Sequence, residues 1–191
     1  MTSMIEAARE QIDALLKKAG VGKTSSVLTI ASGTPEITSF LLCPDGGEVF
    51  GVWSPGKKDS VKLAPVKGGK VYAVLAGKSV SGKFALRPER PEVFVSLPYT
   101  VKGIGLDAKR QNDGVAVTAQ VRPDRGKALR HVLKFRVFDA KGNELNHFGE
   151  VLNAPGGKAV FRFHPALNEK GPFKVEAMDV ISKIKGTCEV R

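Results

Sequence analysis

Apolar residues recur at two different spacings along this chain, and the change between them divides it. Before residue 20 they follow each other at intervals of three and four, which is typical of a helix with one apolar face. Ser3 and Glu6 fit a capping box at its start, and Gly20 ends the pattern. The sequence therefore predicts an amphipathic helix and a linker over residues 1–24. Its apolar face consists of Ile5, Ala8, Ile12, Leu15, Leu16 and Ala19.

Beyond the linker the spacing becomes two, and short runs rich in Val, Ile, Phe and Tyr alternate with Gly, Pro, Asp and Lys. The first set is SVLTIAS, EITSFLLCP, EVFGVWSP, SVKLAPV, KVYAVLAG, GKFALRP and EVFVSLP. Turn sequences such as PDGG and VKGGK separate these runs at close intervals. This spacing predicts antiparallel strands that form a β-sandwich over residues 25–98.

A second set of runs follows the LPYT segment around Pro98, and its alternation is cleaner. It consists of GVAVTAQVR, HVLKFRVFD, GKAVFRFHP, FKVEAMDV and IKGTCEVR. Val115, Val117, Ala119 and Val121 share one predicted face, whereas Lys134 falls on a solvated one. The chain is therefore expected to be all-β, with a second sandwich over residues 99–191.

The strand order and turns of residues 46–97 resemble the small β-sandwich that follows the catalytic barrel in clan A glycoside hydrolases. Residues 131–180 are similar to an immunoglobulin-like domain found after such sandwiches in large bacterial proteins. The resemblance implies two immunoglobulin-like β-sandwich domains. It also implies a non-catalytic accessory or scaffold role, docked on a catalytic barrel or another protein chain, with weak carbohydrate binding as an added function. No part of the chain resembles the barrel itself.

Motifs that would carry catalysis or bind a metal or cofactor are incomplete in this sequence. The carboxylates Glu48, Glu89, Glu144 and Glu150 fall in turns or on wet strand faces near lysines, unlike the close pair of a glycosidase. The three histidines lie outside metal-ligand or triad spacing. We therefore expect no enzyme activity from this chain alone, no metal and no cofactor.

Two aromatic residues raise the question of a binding surface. Trp53, the only tryptophan, ends a run that is apolar on both faces, so we expect it in the core or at a domain interface. The alternative is a platform for stacking sugars. Tyr99, in the segment between the domains, is the aromatic residue that we expect to be partly exposed and able to stack on a carbohydrate. Ile5, Ile12, Leu16 and Trp53 are the candidate interface residues for a protein partner.

Net charge supports a second hypothesis, from another class of function. The chain carries 30 Lys and Arg against 19 Asp and Glu, a net charge of +11. Such an excess attracts polyanions, so an acidic polymer, either nucleic acid or an anionic polysaccharide, is the alternative ligand. A solvated basic face or a surface for an acidic protein partner would produce the same composition. The candidate site is the basic segment 109–136, and its candidate residues are Lys109, Arg110, Arg122, Arg125, Lys127 and Arg130.

The apolar runs and the N-terminal segment bear on the cellular location of the protein. No apolar run approaches the ~20 residues of a membrane-spanning helix, and charged residues interrupt the N-terminal segment where a signal peptide would be apolar. We expect a cytoplasmic protein if the chain is complete and an exported one if it is a fragment. Cys43 and Cys188 are expected to be free thiols.

Overall fold

The computed structural model describes residues 27–42, 47–55, 59–111, 114–166 and 171–190. The predicted helix with Ile5, Ile12 and Leu16 lies outside these residues, as does Cys43. Within them 61% of the residues are in β-strands and no helix reaches seven residues, which confirms the predicted all-β fold class. The fifteen strands are β1 (Leu28–Ser32), β2 (Glu36–Leu42), β3 (Glu48–Trp53), β4 (Ser60–Leu63), β5 (Lys70–Ala73), β6 (Lys78–Val80), β7 (Gly82–Ala85), β8 (Glu92–Leu97), β9 (Val101–Gln111), β10 (Gly114–Pro123), β11 (His131–Phe138), β12 (Glu150–Ala154), β13 (Lys158–Phe163), β14 (Phe173–Asp179) and β15 (Lys185–Val190). Two 3-10 turns, Asn146–Phe148 and Pro155–Gly157, flank β12.

The strands form four antiparallel sheets. Sheet A has the order β1–β4–β7 and sheet B the order β2–β3–β8–β5–β6. Sheet C has the order β13–β10–β9 and sheet D the order β12–β11–β14–β15. Sheets A and B use strands from before Pro98 and sheets C and D use strands from after it, so the chain enters the second pair of sheets at the LPYT segment.

Sheets A and B enclose an apolar core centred on Phe94. Its ring lies 6.0 Å from that of Phe50 and 5.3 Å, edge to face, from that of Phe84. Val52 and Val71 are fully buried in the same cluster. These side chains alternate with residues on the opposite face of sheet B, as a period of two requires.

The core between sheets C and D contains a row of phenylalanines from three strands. Phe135 stacks on Phe161 at 4.8 Å, Phe161 on Phe163 at 5.6 Å, and Phe173 meets Phe163 edge to face at 5.7 Å. The predicted inner face of β10 is buried, as the alternation indicated. Aromatic pairs of this geometry stabilise a core beyond the area they bury.

One side of this second sandwich is closed by β9 and β15. A Cβ atom on Gly186 of β15 would overlap the carbonyl oxygen of Ile104 in β9. Only a glycine lets the two backbones approach so closely. The seam joins sheet C to sheet D along that side.

Sheet B is covered on both faces. Its second face carries Tyr72, Val95 and Leu97, and these side chains belong to the same apolar cluster as the core of sheets C and D. Val49 and Val93 pack against that cluster from the same face. The two sandwiches therefore share one continuous apolar core across the boundary near Pro98.

Candidate functional site

A buried chain of hydrogen bonds lies where the second sandwich meets sheet B. The Tyr99 hydroxyl and His131 Nε2 are 2.8 Å apart, and His131 Nδ1 is 2.9 Å from Asp179 Oδ1. The second carboxylate oxygen of Asp179 accepts the backbone N–H of Ser182 at 2.9 Å and its hydroxyl at 2.6 Å. We call these four residues the junction.

Strand ends bring the junction residues together. Tyr99 lies between β8 and β9, His131 is the first residue of β11, and Asp179 is the last residue of β14. Ser182 follows in the turn to β15. Because β11 and β14 are antiparallel neighbours, the start of one strand lies beside the end of the other.

The hydrogen bonds determine how the protons are arranged. With a neutral imidazole, Asp179 accepts the Nδ1–H of His131 and Nε2 accepts the Tyr99 hydroxyl proton. The Tyr99 oxygen in turn accepts the Leu129 backbone N–H at 2.6 Å. Each polar atom of the three side chains thus has a partner. The arrangement also fixes the loop between β10 and β11 through Leu129.

Burial and hydrogen bonding shift two pKa values at the junction. Burial raises the pKa of Tyr99 to about 12, against a smaller opposing effect of the Leu129 N–H. For Asp179 burial acts to raise the pKa, but the hydrogen bond from His131 and the two from Ser182 act against it, and the pKa is lowered. The junction therefore holds an ionised carboxylate beside a hydroxyl that keeps its proton.

A carboxylate, an imidazole and a hydroxyl in this order are also the parts of a nucleophilic triad. Here, however, His131 and Asp179 are 0% exposed and Tyr99 is 1% exposed. A hydroxyl with a pKa near 12 is protonated at neutral pH and, at this depth, offers no surface to a substrate. The geometry therefore supports a structural role for these three residues.

A surface pocket of about 540 Å³ opens beside the junction. It is lined by Pro98, Tyr99 and the loop from Arg125 to Leu129. Arg125 already binds Asp124, with 3.2 Å between guanidinium and carboxylate, and its guanidinium lies against Gly68 of the first sandwich. The pocket is thus a feature of the boundary between the sandwiches.

The expectation that Tyr99 is partly exposed was wrong. It follows a proline in a connecting segment, but its ring is buried and its hydroxyl is engaged with His131 and Leu129. A ring at this depth presents no face on which a sugar could stack.

Trp53 is half-buried at the end of β3, a central strand that is paired with β2 and β8. By alternation it lies on the face of sheet B that carries Val49, which packs against the second sandwich. Its role as an interface residue stays a prediction.

The six candidate polyanion-binding residues do not form one cluster. Lys109 and Arg122 point outward from sheet C, about 20 Å apart along the strands. Arg110 is on the other side of β9, beside Gly171. Lys127 and Arg130 are exposed in the loop that also carries Arg125.

Buried carboxylates elsewhere hold turns. Asp59 accepts the Thr34 N–H at 3.2 Å and the Ser54 hydroxyl at 3.0 Å. Glu92 accepts the N–H groups of Leu75 and Val93 at 2.8 and 3.1 Å. The sequence did not single out either residue, because most of their partners are backbone N–H groups, and those of Thr34 and Leu75 are 25 and 17 positions away.

Of the carboxylates expected on the surface, Glu89 and Glu150 are exposed, while Glu144 is half-buried and paired with Arg136. Cys188 is a free thiol, and burial raises its pKa. Within the described ranges, no three His, Cys, Asp or Glu side chains converge as ligands for a metal ion. Among the same residues, no helix has the length and apolar character needed to cross a membrane.

No family model matches the sequence, and no curated protein matches it. Among solved structures, the chain is similar to β-glucuronidase from Ruminococcus gnavus, in the apo form and in complex with uronic isofagomine. Both are 11% identical to it, with TM-scores of 0.30 and 0.31. The matches cover 76% of this chain and 36% and 34% of the enzyme chains, so it spans about a third of their length. A likeness this low carries no argument about activity.

Proposed function

We propose that this chain is a non-catalytic accessory module whose two β-sandwiches form one rigid body. In this role it works as a spacer that holds a partner protein or a neighbouring module in a fixed orientation. The observation that supports the proposal is the junction, which anchors Tyr99, directly after the Pro98 connection, to the second sandwich through buried hydrogen bonds. Domains of one chain move relative to each other by default unless their interface is large and apolar.

Apolar contacts across the boundary also support the proposal that the two sandwiches form one rigid body. Tyr72 and Leu97 of sheet B are 4% and 2% exposed and pack in the core of the second sandwich. The Tyr72 hydroxyl also accepts the Val101 N–H at 3.5 Å. Separation of the sandwiches would expose these side chains to water at a cost of ~25 cal/mol per Å² of apolar surface.

The junction also favours a module without its own catalysis. Among the described residues, its Tyr99, His131 and Asp179 side chains come nearest to a catalytic constellation, and their burial fits a structural role. The expected docking on a catalytic barrel or another protein remains part of the proposal, with Trp53 and the predicted helix face as candidate contacts. Weak carbohydrate binding would have to use residues other than Tyr99.

Rigidity can be tested by NMR of the full chain in a weakly aligning medium. We expect the residual dipolar couplings of both sandwiches to fit a single alignment tensor. The Val95→Ser variant, which places a hydroxyl in the shared core, should give two tensors of different magnitude. Val66→Ser is the matched control, because Val66 is 37% exposed and Val95 is 6% exposed.

Two separate tensors in the unchanged protein would overturn the rigid-spacer proposal. Catalysis is tested separately on a panel of aryl glycosides with the purified chain. Measurable turnover would contradict the non-catalytic part of the proposal.

A further inference from the structure

The outward face of sheet C carries four cations with small residues between them. Cross-strand pairing places Lys109 of β9, Ala116 of β10 and Arg162 of β13 in one row. Gly105, Gln120 and Lys158 form another row, and the Arg122 guanidinium lies over Gly105. We call Lys109, Arg122, Lys158 and Arg162 the basic face.

Small side chains lie between these cations. The other outward positions of the three strands are Gly103, Asp107, Gln111, Gly114, Thr118 and Val160. Asp107 is the only acid among the described outward residues of sheet C, so the four cations of the basic face and this acid sum to +3. The exposed Lys102, at the bulge of β9, adds positive charge beside them. Asp107 and Lys109 are 3.8 Å apart and both more than 70% exposed, which makes their pairing weak.

Sheet D provides an internal comparison. By alternation its outward face carries Lys134, Arg136, Lys174 and Lys185. Arg136 pairs with Glu144 and Glu176, and Lys185 lies 3.1 Å from Glu176. Among the residues that the structure describes, Arg122, Lys158 and Arg162 form no such ion pair. With Glu144, Glu176 and Glu189 against four cations, the outward face of sheet D has a net charge of +1, so the uncompensated charge is larger on the outward face of sheet C.

The spacing of the four cations matches the distance between the two phosphate backbones of a duplex. Two cations lie on β13 and two on β9 and β10, so they form two rows separated by one or two strand spacings, about 5–10 Å. Long Lys and Arg side chains on such rows can reach phosphates on both sides of a duplex groove, whose width is ~6 Å for the minor groove and ~12 Å for the major groove.

The residues between the cations offer few of the contacts by which single strands and neutral sugars are bound. No Phe, Tyr or Trp ring points outward among the described residues of sheet C, and the imidazole of His164 lies over Gly114 at one end of the face. The area between the cations therefore offers bases of a single strand and sugar rings no ring on which to stack. The amide nitrogen of Gln120 is committed to the carbonyls of Val121 and Gly156. A ligand recognised through charge alone remains.

We propose that the basic face binds the phosphate backbone of double-stranded nucleic acid, independent of sequence. Lys158 and Arg162 contact one strand, and Lys109 and Arg122 contact the other. This site goes beyond the spacer function and does not depend on it, because the face lies on one sandwich only.

The test is fluorescence anisotropy with the full chain and two labelled 20-base-pair duplexes of unrelated sequence. Four phosphate contacts predict a slope of about −3.6 in log Kobs against log salt, which is a loss of about 150-fold between 50 and 200 mM. The Lys158→Glu/Arg162→Glu variant should halve the slope, so that the loss falls to about 12-fold. The neutral variant Lys158→Gln/Arg162→Gln should do the same.

Lys62→Glu/Lys83→Glu is the matched control. These lysines are exposed cross-strand partners in sheet A, and the variant changes the net charge by the same amount. It should leave the slope unchanged, and circular dichroism checks that each variant is folded. An equal effect of both charge reversals, a preference for one duplex sequence, or tighter binding to single strands or a sulfated polysaccharide would each overturn the proposal.

Discussion

Replacing Tyr99 by phenylalanine removes one oxygen atom and leaves the ring in place. That oxygen donates to His131 Nε2 and accepts the Leu129 N–H, at 2.8 and 2.6 Å. His131 is fully buried, and its other nitrogen is committed to Asp179, so it cannot change tautomer without breaking that bond. The variant therefore leaves one buried acceptor and one partly buried donor without a partner.

The expected cost follows from these two groups. A buried polar group without its partner costs about 1–3 kcal/mol. With one group fully buried and the other partly so, Tyr99→Phe should lower the free energy of unfolding by about 2–4 kcal/mol.

Tyr72→Phe is the matched control for the loss of a hydroxyl. Tyr72 is also almost fully buried, but its hydroxyl oxygen makes one long bond, 3.5 Å from the Val101 nitrogen. A bond of that length is weak, so the loss should be below about 1 kcal/mol.

Urea denaturation measures both variants. Trp53, the only tryptophan, reports on sheet B through its fluorescence, and far-UV circular dichroism reports on all four sheets. Because the two sandwiches share a core, both signals should give one transition, displaced to lower urea in Tyr99→Phe with an unchanged m-value.

Equal effects of Tyr99→Phe and Tyr72→Phe would refute the reasoning, since the two side chains differ chiefly in their hydrogen bonds. A Tyr99→Phe loss below about 0.5 kcal/mol would show that the junction contributes little to stability.

Three further perturbations test other parts of the structure. The pKa of Asp179 is lowered in the folded state, so its contribution is present above the unfolded pKa near 4 and is lost as the pH falls through the folded value. Asp179→Asn should therefore be less stable at pH 7 and flatter between about pH 5 and 2 in urea titrations, and parallel curves for the two proteins would contradict this. Phe161→Ala should cost about 3–5 kcal/mol, against less than about 1 for Val160→Ala on the outward side of the same strand, both measured by thermal unfolding. Gly186→Ala should lower the free energy of unfolding by about 1–3 kcal/mol, because the added methyl group meets the backbone of β9. Gly103→Ala, with open space around the added methyl group, should be neutral or slightly stabilising. The opposite order of melting temperatures would argue against the close approach of β9 and β15.

The alternation of apolar residues predicted most strands but missed three. These are β6, β9 and β12, and each lies at the edge of its sheet. An edge strand buries fewer side chains, so its apolar pattern is weaker. In β9 the glycines Gly103 and Gly105 dilute it further, because glycine is uncommon in strands. Central strands such as β3 and β10 were recognisable because their apolar runs are long.

The junction shows a different limit of sequence reasoning. His131 precedes Leu133, Phe135 and Val137 at a spacing of two, so the alternation already placed it on the inner face of β11. Its partners could not be foreseen, since Tyr99 is 32 positions before it and Asp179 is 48 positions after it. Pairing at such distances depends on the order of strands within the sheets, which the local pattern does not specify.

The shared core also limits where the gene can be divided or recombined. A gene fragment that ended near Pro98 would encode a sheet B with Tyr72, Val95 and Leu97 facing water, and the remaining fragment would lack the side chains that cover its core. Recombination at that point would produce two fragments with exposed apolar surfaces that tend to aggregate, even though the chain has a proline and a short connection there. We therefore expect the two sandwiches to be exchanged between genes together, and a library of random truncations should yield soluble products only when the break spares this boundary.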